Sequence, residues 1–173
     1  MSVSRCDACG FDWQISRADI VKFISERAAQ YRPVMETMDA VLVSHLPHEN
    51  VWSPLQYLAH MRDVSDFYHD RLHRVLVELR PTMQAGIGGV RFSRLAELRD
   101  YQSENSTEVL AAFEKSVALL CVEITNVDAP QWSRVGIGSD GDERSLLQLA
   151  RRFAHEVHHH LGDITSVQST TEV

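Results

Sequence analysis

Apolar residues recur at helical spacing in four stretches of the chain, and these stretches predict four helices. The first covers residues 16–46, with Pro33 inside it to kink or divide the helix. The others cover residues 54–79, 106–124 and 145 to about 167. The hydrophobic pattern therefore indicates a helical protein.

Three of the helix starts carry capping signals. Ser53 precedes Pro54, which places a capping hydroxyl directly before a proline at the first helical position. Ser145 and Gln148 form the Ser-x-x-Gln pattern of a capping box at the start of the last helix. Ser16 is the predicted N-cap of the first helix.

Two long connections separate the last three helices. Residues 81–101 contain a group of glycines and a short predicted helix around residues 94–98, and residues 126–143 are also Gly-rich. Neither connection shows the alternation of a β-strand. The sequence therefore predicts an all-α fold, an antiparallel four-helix bundle with two long irregular connections.

The chain length fits one such bundle. Its 173 residues are enough for a single domain with a hydrophobic core. We expect residues 16–168 to form the bundle, residues 1–15 to be an N-terminal tail and residues 169–173 to be a disordered C-terminus.

Composition narrows the function. The net charge of −7 argues against nucleic-acid binding, which needs a basic surface. No apolar run approaches the length of a membrane span, and the first residues lack the hydrophobic region of a signal peptide. Three cysteines do not suggest a disulfide framework. A cytoplasmic protein without membrane or nucleic-acid partners is expected.

Four histidines and one glutamate lie close together in the last predicted helix. A helix advances about 100° per residue, so these side chains cannot share one face. With Val157 at the centre of the apolar face, Glu156 and His160 fall toward its border, on the same side and one turn apart. His155 and His159 fall roughly opposite that face. The apolar residues that share the face of Val157 are Leu146, Ala150, Phe153, Leu161 and Ile164.

A third polar residue, His60, lies on the inward face of the second predicted helix. Facing helices of a bundle can supply ligands to its core, and a set of two imidazoles and one carboxylate suits zinc or nickel. The alternative is that His60 is a satisfied core histidine and that Glu156 and His160 line a solvated helix edge. Because the three residues converge, we favour a metal site formed by His60, Glu156 and His160.

A Cys-x-x-Cys-Gly motif, Cys6 to Gly10, lies in the N-terminal tail. Two thiolates at this spacing form half of a structural zinc site. One interpretation is a pair of reduced thiols on a flexible terminus. The other is a second metal site, completed by His155 and His159 on the outer face of the last helix.

These residues resemble the DinB-like superfamily. Trp52, His60 and the pattern Glu156-x-x-x-His160-x-x-Asp163 carry the resemblance, which extends from about residue 16 to residue 167. It includes the actinobacterial branch that contains mycothiol-dependent maleylpyruvate isomerase. The resemblance implies a four-helix bundle and a divalent metal, zinc or alternatively nickel, bound by His60, Glu156 and His160. The Cys6/Cys9 motif is not part of the common pattern, and the additional C-terminal domain of the isomerase has no counterpart, so maleylpyruvate isomerisation is not expected.

The resemblance also implies a reaction. Several members are considered thiol S-transferases, in which the metal lowers the pKa of a low-molecular-weight thiol such as mycothiol or bacillithiol. A small-molecule electrophile and a thiol are then the expected partners. The alternative is a non-catalytic bundle with a structural metal and a stress-response or partner-binding role. The oligomeric state is left open, with a homodimer as the one assembly considered.

Further residues are assigned on the same basis. Asp63 or Asp163 is expected to orient a ligand imidazole, and Arg71 is expected to hold an acidic group of the substrate. The pocket is expected to be lined by the two connections, around Trp132 and residues 86–92.

Overall fold

The computed structural model of the protein describes residues 4–49 and 51–171. Two short 3₁₀ turns, Tyr101–Ser103 and Ala129–Ser133, lie in the connections. In chain order, the helices and strands are α1 Ile20–Ala28, α2 Tyr31–Glu36, α3 Ala40–Val43, α4 Pro54–Val77, α5 Phe92–Leu98, α6 Ser106–Thr125, β1 Val135–Ile137, β2 Glu143–Ser145 and α7 Leu146–Thr171.

The predicted four-helix bundle is confirmed, and α1, α4, α6 and α7 form it. Helix α4 packs between α6 and α7, and α1 packs against the same two helices from the other side. The sequence did not predict the hairpin of β1 and β2, which pair antiparallel with Gly136 opposite Arg144. Three-residue strands are too short to show an alternating pattern.

The bundle departs from the predicted antiparallel arrangement in one respect, because two neighbouring helix pairs run parallel. Ser116 of α6 donates to Asp66 of α4, and further along both helices Glu123 lies 2.8 Å from Nδ1 of His73. Parallel neighbours need a connection that returns along the bundle, and residues 78–105 provide it between α4 and α6. This explains why that connection is long.

Helices α1 and α7 form the other parallel pair. Arg151 donates to the carbonyl of Ile15 just before α1, and His158, later in α7, packs against Phe23 of α1. Helices α4 and α7 run antiparallel, so the start of α4 meets the distal half of α7. That meeting point brings His60 next to His160.

The first predicted helix is divided into α1, α2 and α3. Pro33 lies in the first turn of α2, where its missing N–H leaves no helical hydrogen bond unmade. Helix α1 begins at Ile20, and its N-cap is Asp19 rather than the predicted Ser16. Ser16 instead donates to the Asp19 carboxylate at 2.6 Å in the preceding turn.

The starts of α4 and α7 follow the sequence signals. Ser53 and Gln56 form a complete capping box at α4. At α7, the Ser145 backbone N–H donates to the Gln148 side chain at 2.8 Å, and the Gln148 N–H donates back to the Ser145 hydroxyl at 3.2 Å. The end of α7 differs from the prediction, because the helix passes through Gly162 and continues to Thr171. Residues 169–171 are thus helical where disorder was predicted, and residues 172–173 lie outside the described residues.

The core lies between the four long helices. All six apolar residues predicted for the inner face of α7, Val157 among them, are buried. The buried Tyr31 hydroxyl donates to the Val157 carbonyl at 2.9 Å, which joins α2 to the same helix. Within residues 4–49 and 51–171, none of the helices combines the length and the hydrophobicity of a membrane-spanning segment.

Residues 4–15 are folded against the bundle instead of forming a free tail. Phe11 is 3% exposed and packs edge-on against Phe23 of α1 and His155 of α7. Arg151 donates to the carbonyls of Gln14 and Ile15, which holds the segment along α7. Hydrophobic burial and these hydrogen bonds together position the cysteine motif.

Candidate metal centre

Helix phase places Glu156 and His160 at the border of the buried face of α7, as predicted. Both side chains are partly exposed, with one turn of helix between them, and Nε2 of His160 lies 3.3 Å from Oε2 of Glu156. His60 projects from α4 toward them and is 7% exposed. One potential ligand atom from each of the three residues lies within 4.8 Å of the others. The predicted set is therefore brought together at one point.

His60 is held in an apolar setting. Its ring centroid lies 4.8 Å from that of His160, and burial together with the charge of His160 lowers the pKa of His60 to about 4. The imidazole is therefore neutral at pH 7, the form that binds metals. Its buried Nδ1 has no hydrogen-bond partner among the described residues.

Two carboxylates flank His160. Its Nδ1 donates to Asp163 at 2.7 Å, while Nε2 faces Glu156. Burial lowers the pKa of His160, but the hydrogen bonds to Asp163 and Glu156 outweigh it and raise the value to about 9. Burial of Glu156 raises its pKa, and hydrogen bonds from His155 and His160 overcome this and hold it well below its usual range. With a pKa of about 9, His160 holds its proton at neutral pH between the two carboxylates, and a metal ion bound to it would displace that proton.

Of the two aspartates predicted to orient a ligand, only Asp163 contacts one. The buried Asp63 instead accepts from the Tyr101 hydroxyl, from Nε of Arg62 at 2.9 Å and from Arg99 at 2.7 Å. These contacts tie the connection after α5 to α4. Asp63 therefore has a structural role, and of the two predicted alternatives only Asp163 is placed to orient a ligand.

Comparison with known proteins identifies the family. The family model of the DinB superfamily matches residues 23–164, which is most of the chain. The chain belongs to the DinB superfamily. A comparison with curated protein sequences found no match.

Solved structures resemble this DinB bundle in fold. One is YfiT from Bacillus subtilis, a probable metal-dependent hydrolase with an unusual four-helix bundle topology, at 17% identity and a TM-score of 0.83 over 92% of this chain and 91% of that one. Another is the mycothiol-dependent maleylpyruvate isomerase, at 15% identity and a TM-score of 0.69, covering 87% of this chain. The DinB chain spans only 61% of that isomerase chain.

Aromatic rings surround the three candidate ligands of the DinB site. Trp52 and Phe92 pack edge-on against His60, at centroid distances of 5.2 and 5.0 Å, and Tyr57 lies 5.6 Å from the His160 ring. Trp52 belonged to the predicted motif, and Phe92 was predicted as part of the pocket lining; its contact with His60 was not predicted, because Phe92 lies in a connection without helical periodicity. The rings exclude water from one side of the centre.

A cavity of about 310 Å³ lies beyond the Phe92 ring, lined by Phe67, Arg71, Met83 and Gly86. Phe92 packs against Phe67 as well as His60, so the two rings separate this cavity from the centre. Residues 83–84 and 86–88 of this connection line the cavity, but none of the three candidate ligands does, so a pocket at the centre stays a prediction.

Trp132, the other predicted lining residue, is buried at the opposite end of the bundle. The neighbouring Arg134 donates to the carbonyl of Val75 near the end of α4. Val75 is fifteen residues beyond His60, which corresponds to roughly 22 Å along a helix. Trp132 is thus part of the core there, and its assignment to the pocket is wrong.

His155 and His159, on the outer face of α7, lie next to the two cysteines that were predicted as their partners in a second metal site. Ligand atoms of Cys6, Cys9, His155 and His159 lie within 4.8 Å of one another. All four residues are partly exposed, because residues 4–15 cover the outer face of α7. This second cluster shares no residue with the first.

Proposed function

We propose that His60, Glu156 and His160 bind one divalent metal ion, zinc or alternatively nickel, and that the site transfers a low-molecular-weight thiol to a small electrophile. The observation that carries the proposal is the convergence of three ligand atoms from two helices on one point. No fourth His, Cys, Asp or Glu of the described residues joins this group. Three protein ligands are typical of a catalytic site that keeps a position open for substrate or water.

The residues fit a metal ion chemically. Imidazole nitrogens are borderline ligands that suit zinc and nickel, and a carboxylate oxygen completes a common ligand set of such ions. A buried ring nitrogen without a hydrogen-bond partner, such as Nδ1 of His60, costs free energy. Binding of a metal ion by the His60 imidazole would explain why the residue lies in this position. Asp163 fixes the ring of His160 by accepting from Nδ1, which leaves Nε2 for the ion.

A divalent ion held there would lower the pKa of a bound thiol, so that the thiolate nucleophile exists at neutral pH. The protein contributes orientation and exclusion of water. Trp52, Tyr57 and Phe92 form an apolar wall beside the two histidines, and the low dielectric constant there strengthens the attraction between ligand carboxylate and cation. An electrophile bound in the cavity beyond Phe92 would reach the centre only when the Phe67 and Phe92 rings, which lie between the two, move aside.

Arg71 is the proposed contact for an acidic group of the substrate. It lines the cavity, stacks on the Phe67 ring and donates to the carbonyl of Gln84. Asp66 and Asp70 line the same cavity, and their carboxylates repel an anionic group. Such a group would therefore be held only in direct contact with the Arg71 guanidinium. Replacing Arg71 by Gln should raise KM for an anionic electrophile more than for a neutral one.

The related structures support metal and thiol chemistry by analogy. One is described as metal-dependent and the other as mycothiol-dependent. The first is also described as a probable hydrolase, and its fold matches nearly the whole of this chain. Metal-assisted hydrolysis, in which water takes the place of the thiol, is therefore the second candidate function.

The alternative of a structural metal predicts a closed site. A structural zinc site has four protein ligands, whereas this centre offers three among the described residues. The arrangement therefore favours catalysis over a purely structural or partner-binding role. A role in stress response would then depend on the coordination position that the three protein ligands leave open on the metal ion.

Metal analysis tests the site. His60→Ala should remove one metal ion per chain, because it deletes the only ligand proposed from α4. The matched control is His69→Ala. His69 is a partly exposed histidine of the same helix, and its ring pairs with Glu123 instead of the candidate ligands. Equal metal content in wild type and His60→Ala would refute the assignment, provided circular dichroism shows both chains folded.

Turnover tests the reaction. Monochlorobimane conjugation is measured with mycothiol and with bacillithiol, and ester and amide hydrolysis is measured without thiol. Conjugation that depends on both metal and His60 supports S-transfer. Thiol-independent hydrolysis that His60→Ala abolishes would favour the second candidate, and no turnover in any of these reactions would contradict both.

A further inference from the structure

We infer that Cys6, Cys9, His155 and His159 form a second metal site, a closed structural zinc site that fastens the N-terminal segment to the outer face of α7. It shares no metal ligand with the site of the proposed function, although Glu156 and Asp163 lie beside both. The inference rests on the chemistry and geometry of the four side chains.

The four ligand atoms are close to the arrangement that zinc requires. They lie within 4.8 Å of one another, and Nε2 of His155 is 3.3 Å from Sγ of Cys6. In a tetrahedral site with Zn–S near 2.3 Å and Zn–N near 2.0 Å, neighbouring ligand atoms are about 3.3–3.8 Å apart. A contraction of at most about 1 Å at the longest separation would therefore complete the site.

The second nitrogen of each imidazole faces a carboxylate. Nδ1 of His155 lies 3.6 Å from Glu156, and Nε2 of His159 lies 3.7 Å from Asp163. Nδ1 of His159 is buried and has no hydrogen-bond partner among the described residues. Carboxylates behind metal-binding histidines fix the ring and raise its basicity. Each histidine thus presents one nitrogen toward the cluster and the other toward a supporting acid.

The cysteine motif is folded as a metal-binding turn. The Gly10 backbone N–H donates to the Cys6 carbonyl at 2.8 Å, and Gly10 has the left-handed φ of +72° that favours glycine. The Cys6 N–H donates to the Phe11 carbonyl at 2.9 Å, which closes the turn. Nε2 of His158 lies 3.0 Å from the Cys9 carbonyl, so the turn is also held against α7.

The neighbouring packing places this turn on the two histidines. Trp13 stacks on the His155 ring at a centroid distance of 4.6 Å, and Phe11 fills the space between His155 and Phe23. Two thiolates and two imidazoles fill all positions of a tetrahedral zinc ion. The site is therefore closed to substrate, and its role is to hold residues 4–15 in place.

Metal counting on the untagged full chain tests the inference. We expect two metal ions per chain in wild type and one in the double variant Cys6→Ser/Cys9→Ser, with His60→Ala losing the other ion. Cys121→Ser is the matched control, because Cys121 lies away from the cluster, near Ser25 of α1. The control should retain both ions.

A spectroscopic measurement on the wild-type protein keeps the test independent of variant folding. The cobalt(II)-loaded chain should show sulfur-to-cobalt charge-transfer absorption, because only this site contains thiolates. Absence of that absorption would overturn the inference. A single metal ion that His60→Ala removes and the double cysteine variant retains would also overturn it, while leaving the metal site of the proposed function in place.

Discussion

Replacement of Asp163 by alanine should weaken metal binding at the His60–Glu156–His160 centre without unfolding the chain. Asp163 accepts a hydrogen bond from Nδ1 of His160 at 2.7 Å, and this bond fixes which ring nitrogen faces Glu156. Without it, the His160 ring is free to rotate and the imidazole becomes less basic. Both effects reduce its quality as a ligand.

The size of the expected loss in metal affinity follows from how far Asp163 is exposed to water. Loss of a carboxylate behind a metal-binding histidine costs about 10- to 100-fold in metal affinity, equivalent to roughly 1.4–2.7 kcal/mol. The Asp163 side chain is 32% exposed, so water can replace part of its hydrogen bond to His160. We therefore expect a value near the lower end, about 10- to 30-fold.

Competition with a chromogenic chelator measures this affinity. Because Asp163 also lies near His159, the experiment is done in the Cys6→Ser/Cys9→Ser background, which isolates one site. Gly162→Ala in the same background is the positional control, since it changes the adjacent residue of α7 without touching a candidate ligand. Unchanged metal affinity in folded Asp163→Ala would refute the orienting role.

Three further variants test the fold around the site. Tyr101→Phe removes a hydrogen bond from the buried Asp63 and should lower the free energy of unfolding by about 1.5–3 kcal/mol in chemical denaturation, with metal content unchanged; loss of metal would mean that Asp63 supports the centre after all. Gly162→Ala should raise the free energy of unfolding by about 0.5–1 kcal/mol, because a Cβ there meets no atom within 4 Å and alanine is the better helix former. A lower melting temperature would contradict a continuous α7. Phe11→Ala should cost the docked N-terminal segment about 2 kcal/mol, seen as roughly 30-fold faster hydrogen exchange there, and unchanged exchange would show that this packing does not hold the segment.

The candidate site was predictable because its residues lie on periodic helices. The inward direction of Glu156 and His160 follows from their angle to Val157, and a single helix carries all three. His60 needed only the apolar face of α4. Helical phase is a local property, so it can be worked out from spacing alone.

Features that depend on contacts between distant segments could not be worked out in this way. Asp63 looks like a neighbour of His60 in sequence, but its partners Arg99 and Tyr101 come from a connection with no periodicity. Gly162 resembles a helix end, yet packing of α7 against the bundle carries the helix past it. The sequence likewise left open whether Pro33 bends or divides the first helix, because that depends on what packs around it.

Consecutive residues of α7 serve two different clusters. Oε2 of Glu156 faces His160, whereas its Oε1 faces His155, 3.6 Å away in the outer cluster. A helix with ligands anchored on two of its sides resists turning about its own axis. Occupying one centre should therefore sharpen the alignment of the other, and substitution of Glu156 would disturb both at once. His60, which touches only the inner cluster, is for this reason the better residue for dissecting the two.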